Sequence, residues 1–224
     1  MYFPQRKSCI GCRKRGVQAI RPDSLRLFNR QWDNEEQLKR AYDRLVSFGY
    51  RVNLQAIVGL PIEDPIGDAL DTLKALKRIG PGSIVSIYPL QIYPHTHIKE
   101  ISESRGFKIN ENCTGDTNTG VGGLLFPPEI EKKLKNICKF GTLYVKGNLD
   151  NYWKSALLKE GKYDLVNDKI DERWLEKALE TDFSSETSMM LSMARYHDCV
   201  IDRLGKIKGE EVFNKILKTT NIRY

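Results

Sequence analysis

The chain has no membrane-spanning stretch: none of its apolar runs approaches the roughly 20 residues that cross a bilayer. Its start is not expected to be a secretory signal, because no hydrophobic core stands behind the charges of Met1-Tyr2-Phe3-Pro4-Gln5-Arg6-Lys7. Its five cysteines are irregularly spaced and do not form a disulfide framework, which predicts a reduced, cytoplasmic setting. No basic stretch is laced with aromatics, although the formal charge is +7 and Arg6, Lys7, Arg13, Lys14 and Arg15 crowd the start. A basic balance can serve nucleic acid or an anionic ligand. With acidic residues interspersed, it reads here as a solvated, lysine-rich surface, so neither nucleic acid nor a membrane is the expected partner.

What is present is the composition of a soluble globular protein, 40% hydrophobic and 29% charged, in a chain of 224 residues that can bury a sizeable core. From Gly16 to about Arg105 the pattern alternates between strand and helix. Val17–Ile20 reads as a short strand, and Pro22-Asp23 opens a first helical stretch. Asn34–Phe48 carries Leu38, Ala41, Tyr42 and Leu45 at helical spacing, with Gly49 placed as a C-terminal cap. Arg51–Val58 alternates as a strand, with Ile57 adding apolarity to its second face, as in a parallel strand covered by helices.

Asp64-Pro65 reads as an N-cap followed by proline at the first helical position, and the helix runs to Gly80-Pro81. Ser83–Leu90 is a third strand. The expectation is an α/β fold in which Val17–Ile20, Val52–Val58 and Ser83–Leu90 are adjacent and parallel in that order. The Asn34–Phe48 and Pro65–Ile79 helices should cover one face. Residues 106–126, rich in Asn, Thr and Gly, break the pattern as a functional or mobile loop. Residues 127–224 read as a helical extension over Glu129–Phe140, Asn151–Glu160, Glu172–Leu179, Ser184–Leu204 and Glu210–Leu217. The division expected is therefore 1–105, 106–126 and 127–224.

Polar residues gather near the predicted strand ends, where α/β folds place their ligands. Each has a plain structural reading when taken alone. Gln18 can satisfy backbone groups at a strand end, Arg30 a helix terminus, and Ile57 belongs to the core. Gly59 and Pro61 make turns, and Glu63 and Asp64 cap the helix that follows them. His95 and His97 read as a polar turn. On a helix, His197, Asp198 and Cys199 spread over different faces, so no metal site is expected from any of these.

Three phrases taken in order lift the ligand reading above those plain ones. Gly16-Val17-Gln18-Ala19-Ile20 followed by Leu25-Arg26-Leu27-Phe28-Asn29-Arg30 resembles the "G-V-Q-S … i-N-R" strand and helix of the radical S-adenosylmethionine (SAM) enzymes. Val52-Asn53-Leu54-Gln55-Ala56-Ile57-Val58-Gly59-Leu60-Pro61 resembles their "D-L-I-x-G-L-P" strand and turn. Ser86–Leu90 with Tyr93-Pro94-His95-Thr96 is similar to their later strand ending in "P-G-T", with His95 in place of the glycine. The likeness covers Gly16 to Arg105. It is greatest to the branch that includes oxygen-independent coproporphyrinogen oxidases and cobalamin-binding radical SAM proteins.

The resemblance implies a partial (β/α) barrel, its second half only, followed by the helical extension. It implies SAM as cofactor, with Gln18 at the ribose, Arg30 at the methionyl carboxylate, Ile57 against adenine and Gly59–Pro61 forming the turn beneath. Gln55 stands where relatives often have an aspartate for the ribose. Intact relatives hold a [4Fe–4S] cluster in a CxxxCxxC loop, and some bind cobalamin. Here Cys9-Ile10-Gly11-Cys12 lacks the third thiolate, so this chain is not expected to hold a cluster, and the pair reads as a helix or loop leading into the strand. The expected protein is a truncated or decayed radical SAM form whose partners are the small-molecule cofactor and a missing half-barrel or second chain. The competing expectation is a non-catalytic, basic interaction or nucleic-acid-binding protein on the same α/β frame.

Overall fold

Three stretches of the chain become parallel strands in the computed structural model, which describes residues 12–31, 33–81, 83–111, 122–204 and 206–220. They are β1 (Cys12–Gln18), β2 (Arg51–Val58) and β3 (Ile84–Pro89), paired in the order β1-β2-β3. Both pairings are parallel, so order and direction are those the strand–helix alternation predicts. Among the described residues the sheet is open and no barrel is closed. Cys9, Arg6, Lys7 and Cys113 lie outside the described residues, as does the side chain of Cys199.

β1 differs from the predicted Val17–Ile20 at both ends. It begins at Cys12, so that residue opens the strand and does not belong to a helix or loop ahead of it. It ends at Gln18 because a bulge between Gly16 and Gln18 shifts the register, from Gly16 opposite Gln55 to Gln18 opposite Ala56.

Between the strands run α1 (Pro22–Leu27), α2 (Glu35–Ser47) and α3 (Pro65–Ile79). α2 is capped by Asn34, whose side chain accepts from the Gln37 N–H, and α3 by Asp64, which accepts from the Gly67 N–H with Pro65 in the first turn. One sheet face carries Val17, Val52, Leu54, Ala56, Val58, Val85 and Ile87, all buried against Leu38 of α2 and Leu73 and Leu76 of α3. The other face is mixed. In register across the strands it bears Gly16–Gln55–Ser86 and then Ile57–Tyr88, and the buried Asn53 donates to Ser86 Oγ at 3.1 Å.

Beyond β3 come α4 (His97–Ser104) and two short strands, β4 (Lys108–Ile109) and β5 (Leu124–Leu125), which pair antiparallel and tie together the two ends of the predicted loop. The helical region comprises α5 (Pro128–Lys146), α6 (Asn151–Lys159), α7 (Tyr163–Asn167), α8 (Glu172–Glu180), α9 (Ser185–Leu204) and α10 (Lys206–Thr220). α5 continues past Phe140, where the sequence predicts its end, because Gly141 is a packing residue there. A Cβ at Gly141 would sit 2.5 Å from Ile87 Cδ1 and 3.0 Å from Leu73 Cδ2, so glycine lets the helix press onto the sheet. The stop is Gly147, in the left-handed region at φ 77°.

The helices cover more than the sheet face. Two β3 carbonyls accept from them: Val85 from Thr142 Oγ1 of α5 at 3.4 Å, and Ile87 from Arg195 Nη2 of α9 at 2.7 Å. An outer edge that would otherwise present bare carbonyls is thereby satisfied. The hydrophobic core is continuous from Val17 of β1 to Ala194 of α9. Among the described residues, no helix is long and apolar enough to cross a membrane.

Candidate functional site

Arg30 is delivered to the end of β1 by the way α1 stops. Asn29 takes φ 53°, its N–H reaches the Arg26 carbonyl at 3.0 Å, and the Arg30 N–H reaches the Leu25 carbonyl at 2.9 Å. This is the six-to-one, five-to-two pairing of a Schellman turn, with asparagine in the left-handed position usually held by glycine. α1 is itself bolted to α3: the buried Ser24 Oγ donates to the buried Asp68 at 2.5 Å, and Arg21 bonds Asp71 at 2.7 Å and Asp64 at 3.1 Å. Burial holds the Asp68 carboxyl above its ordinary value, against the Ser24 hydrogen bond.

The Arg30 guanidinium then reaches back over the sheet. Nη1 donates to Gln18 Oε1 at 2.7 Å and to the Gly16 carbonyl at 3.0 Å, while Nη2 lies 2.8 Å from Asp33 Oδ2. Gln18 meets it from a left-handed backbone, φ 66°, which a residue with a Cβ adopts only under constraint from its surroundings. The predicted pair Gln18 and Arg30 is therefore a hydrogen-bonded unit at the carboxyl end of β1.

Gln55 and Ile57 lie on the same sheet face, Gln55 directly opposite Gly16 in the register. Adjacent strands sit about 4.8 Å apart, so Gln55 neighbours the Gly16 carbonyl that Arg30 holds. Among the described residues no hydrogen bond joins Gln55 to Gln18 or Arg30. Ile57 is half-buried, in register with Tyr88, and packs with Leu27, Leu60 and Leu90. Gly59 does not join this group. At φ 74° it forms the turn after β2, and it lines a separate slot of about 120 Å³ with Val58, Pro89, Leu124, Phe126 and Leu134.

The helical region contains a second polar cluster that sequence reasoning passes over. Asp150 caps α6, its Oδ1 accepting from Tyr152 N at 2.9 Å and Trp153 N at 3.1 Å, while its Oδ2 lies 3.2 Å from His197 Nδ1. His197 is buried and places Nε2 3.3 Å from Glu210 Oε1. Asp198 Oδ2 accepts from Trp153 Nε1 at 3.1 Å, with Lys146 Nζ 3.7 Å away. Burial and the neighbouring Asp150 push the Asp198 carboxyl up to about 7. For Asp150, burial works upward, but hydrogen bonds from His197 and the Trp153 N–H outweigh it and hold the carboxyl below its ordinary value. His197 is raised, since Asp150 and Glu210 overcome the effect of burial.

Asp150, His197 and Asp198 present ligand atoms within 4.8 Å of one another, close enough for a small cation. Lys146 already supplies positive charge to Asp198, however, and Asp150 and Asp198 are close enough to share a proton. The arrangement is a neutralised hydrogen-bonded network. Asp150 stands 47 residues before His197 and reads as a helix cap, so no spacing in the sequence could have announced it.

Compared with family models, with curated proteins and with solved structures, this chain finds no match.

Proposed function

We propose that the strand-end cluster is the nucleoside and carboxylate cradle of a SAM-binding half-barrel, the second half of a radical SAM-type (β/α) barrel, with SAM as its cofactor. Backbone conformation carries this reading. The non-glycine residues with positive φ, among the described residues, are Gln18, Asn29 and His95. Each falls within one of the phrases by which the chain resembles radical SAM enzymes. His95 stands where those enzymes have glycine, and at φ 59° it holds the conformation glycine favours. Strained residues of this kind cost about 1–3 kcal/mol each and gather where a ligand must be met by particular atoms.

The donor set suits SAM in kind: a guanidinium for the carboxylate, the amides of Gln18 and Gln55 for ribose hydroxyls, and Ile57 for the adenine face. One contact opposes tight binding. Asp33 already pairs with Arg30, so an incoming carboxylate competes with a resident one. In intact relatives a reduced [4Fe–4S] cluster would give SAM one electron, cleaving it to methionine and the 5′-deoxyadenosyl radical that abstracts hydrogen. Cys9 and Cys12 offer two thiolates where that cluster takes three. The role proposed for this chain is therefore to bind and orient the cofactor, with a partner half-barrel contributing the cluster loop and the remaining strands.

Calorimetric titration of SAM or S-adenosylhomocysteine tests the assignment. Arg30→Ala should weaken binding about ten- to a hundredfold, the worth of a charge-assisted contact of about 1.5–3 kcal/mol. Arg30→Lys should not restore it, because an ammonium lacks the planar fork. Asp33→Asn, which removes the competing carboxylate, should strengthen it. Wild-type binding that Arg30→Ala leaves unchanged refutes the cradle.

A further inference from the structure

α5, residues 181–183 and the start of α9 line an open groove of about 350 Å³ whose lining includes Lys132, Lys135, Lys139, Asp182, Glu131 and Ser188. Its charges do not cancel. Lys132 Nζ pairs with Asp182 at 3.3 Å, and Lys135 Nζ lies a loose 3.7 Å from Glu131. Lys139 is half-buried, and among the described residues its ammonium has no carboxylate partner; it donates to Ser188 Oγ at 2.5 Å. Burial, and then the neighbouring Lys135, lower its pKa, as expected for a cation held with too little compensation. A half-buried cation left to a hydroxyl is under-compensated, and a bound anion would relieve it.

The groove adjoins the slot beside Gly59, with Glu131 and Lys135 lining both. That slot is walled by Val58, Leu124, Phe126 and Leu134, and measures about 120 Å³. A ligand filling both spaces carries an anion at one end and a compact apolar group at the other. Two ammoniums and a hydroxyl supply separate donors to the anionic end, matching the several oxygens of a phosphoryl group better than the two of a carboxylate.

We propose that the α5–α9 groove binds the phosphoryl group of a small organic phosphate through Lys139, Lys135 and Ser188, with the apolar part of the ligand in the slot beside Gly59. The phosphoryl end shares no residue with the Gln18–Arg30 cluster, so the two assignments stand or fall separately.

Phenyl phosphate is a suitable probe, titrated calorimetrically against the full chain with inorganic phosphate as comparison. Saturable binding is expected, tighter for phenyl phosphate, and about tenfold or more weaker in Lys139→Met. Lys132→Met, which removes a cation already paired with Asp182, should weaken binding much less. Lys139→Met deletes an uncompensated charge and should unfold at an unchanged or higher temperature, which separates lost binding from lost folding. Nζ resonances should report the Lys139 pKa rising when phenyl phosphate is added. Absence of saturable binding by the wild type, or equal binding by Lys139→Met, overturns the proposal. Equal affinity for inorganic and phenyl phosphate overturns the slot as the seat of the apolar group.

Discussion

The two polar clusters of the molecule, at the strand ends and around His197, are built in opposite ways. At the strand ends Gln18, Asn29 and His95 are held in left-handed backbone, and the side chains they serve are half-buried or exposed. In the second cluster the polar group is drawn inward: His197 is 5% exposed and wedged between Asp150 and Glu210, with ordinary helical backbone around it. The left-handed Asn29 serves the helix stop, whereas the left-handed Gln18 and His95 cost stability that, on the proposed reading, a ligand would repay. A buried, mutually neutralised network asks for no ligand. Its effect is on stability and on the pH at which stability is lost.

The largest test asks whether the two halves are one cooperative body. Phe140 of α5 is fully buried, with ring centroids 5.9 Å from Trp153, 5.9 Å from Trp174 and 5.4 Å from Phe183. Phe140→Ala should destabilise the chain by about 3–5 kcal/mol, the range for emptying a large aromatic site. Because the core is continuous from β1 to α9, thermal unfolding followed by circular dichroism and by Trp fluorescence should shift together. If the helical half melted earlier, leaving the sheet behind, the shared core would be refuted.

A smaller effect separates the halves by pH. Asp198 has a folded value raised to about 7, so the folded state holds its proton more tightly than the unfolded chain does. Stability from this group is fully present below the unfolded carboxylate value and is lost as pH rises toward and through 7. His197, also raised, adds stability below the unfolded imidazole value that is likewise lost as pH rises. Asp150, lowered, acts oppositely and loses its contribution only toward acid. Between pH 5 and 8 the melting temperature should therefore fall. Asp198→Asn should flatten that fall and raise stability at pH 8 by on the order of 2 kcal/mol. A wild-type melting temperature that rises from pH 5 to 8 would contradict the protonation pattern.

The second and third strands were legible in the sequence because their signals are local, whereas β1, carried by Cys12-Arg13-Lys14-Arg15, has no apolar alternation to announce it. Alternation over Arg51–Val58, the Asp64-Pro65 start of α3 and the Gly49 stop of α2 each act within a few residues, and each appears where expected. The meeting of Gln18 and Arg30 was legible only as part of a phrase, since the bulge and the Schellman turn that join them depend on backbone angles that residue types do not declare. What could not be read is what depends on distant partners. Gly141 looks like a helix stop until Ile87 and Leu73 are seen beside it. Lys139 looks like one more surface lysine until α9 closes over it. His197 and Asp198 point differently on one helix, yet Asp150 and Trp153 of α6 reach both.

The smallest expected effect bears most directly on what the strain is for. His95 is exposed and left-handed at φ 59°, in a turn whose Thr96 Oγ1 donates to the Tyr93 carbonyl at 2.7 Å. Relief of a left-handed Cβ is worth about 1–2 kcal/mol, and the greater freedom of glycine in the unfolded chain takes back about 0.5–1 kcal/mol. His95→Gly should therefore stabilise the protein by roughly 0.5 kcal/mol, a small upward shift in denaturant midpoint at unchanged m-value. Such a gain would mean that the surrounding chain imposes the turn and the imidazole contributes nothing to holding it, as at a site kept for its backbone path. A loss of stability would mean that the His95 side chain itself holds the turn. The contrast between the strained strand-end cluster and the mutually neutralised His197 cluster would then fail at one of its three points.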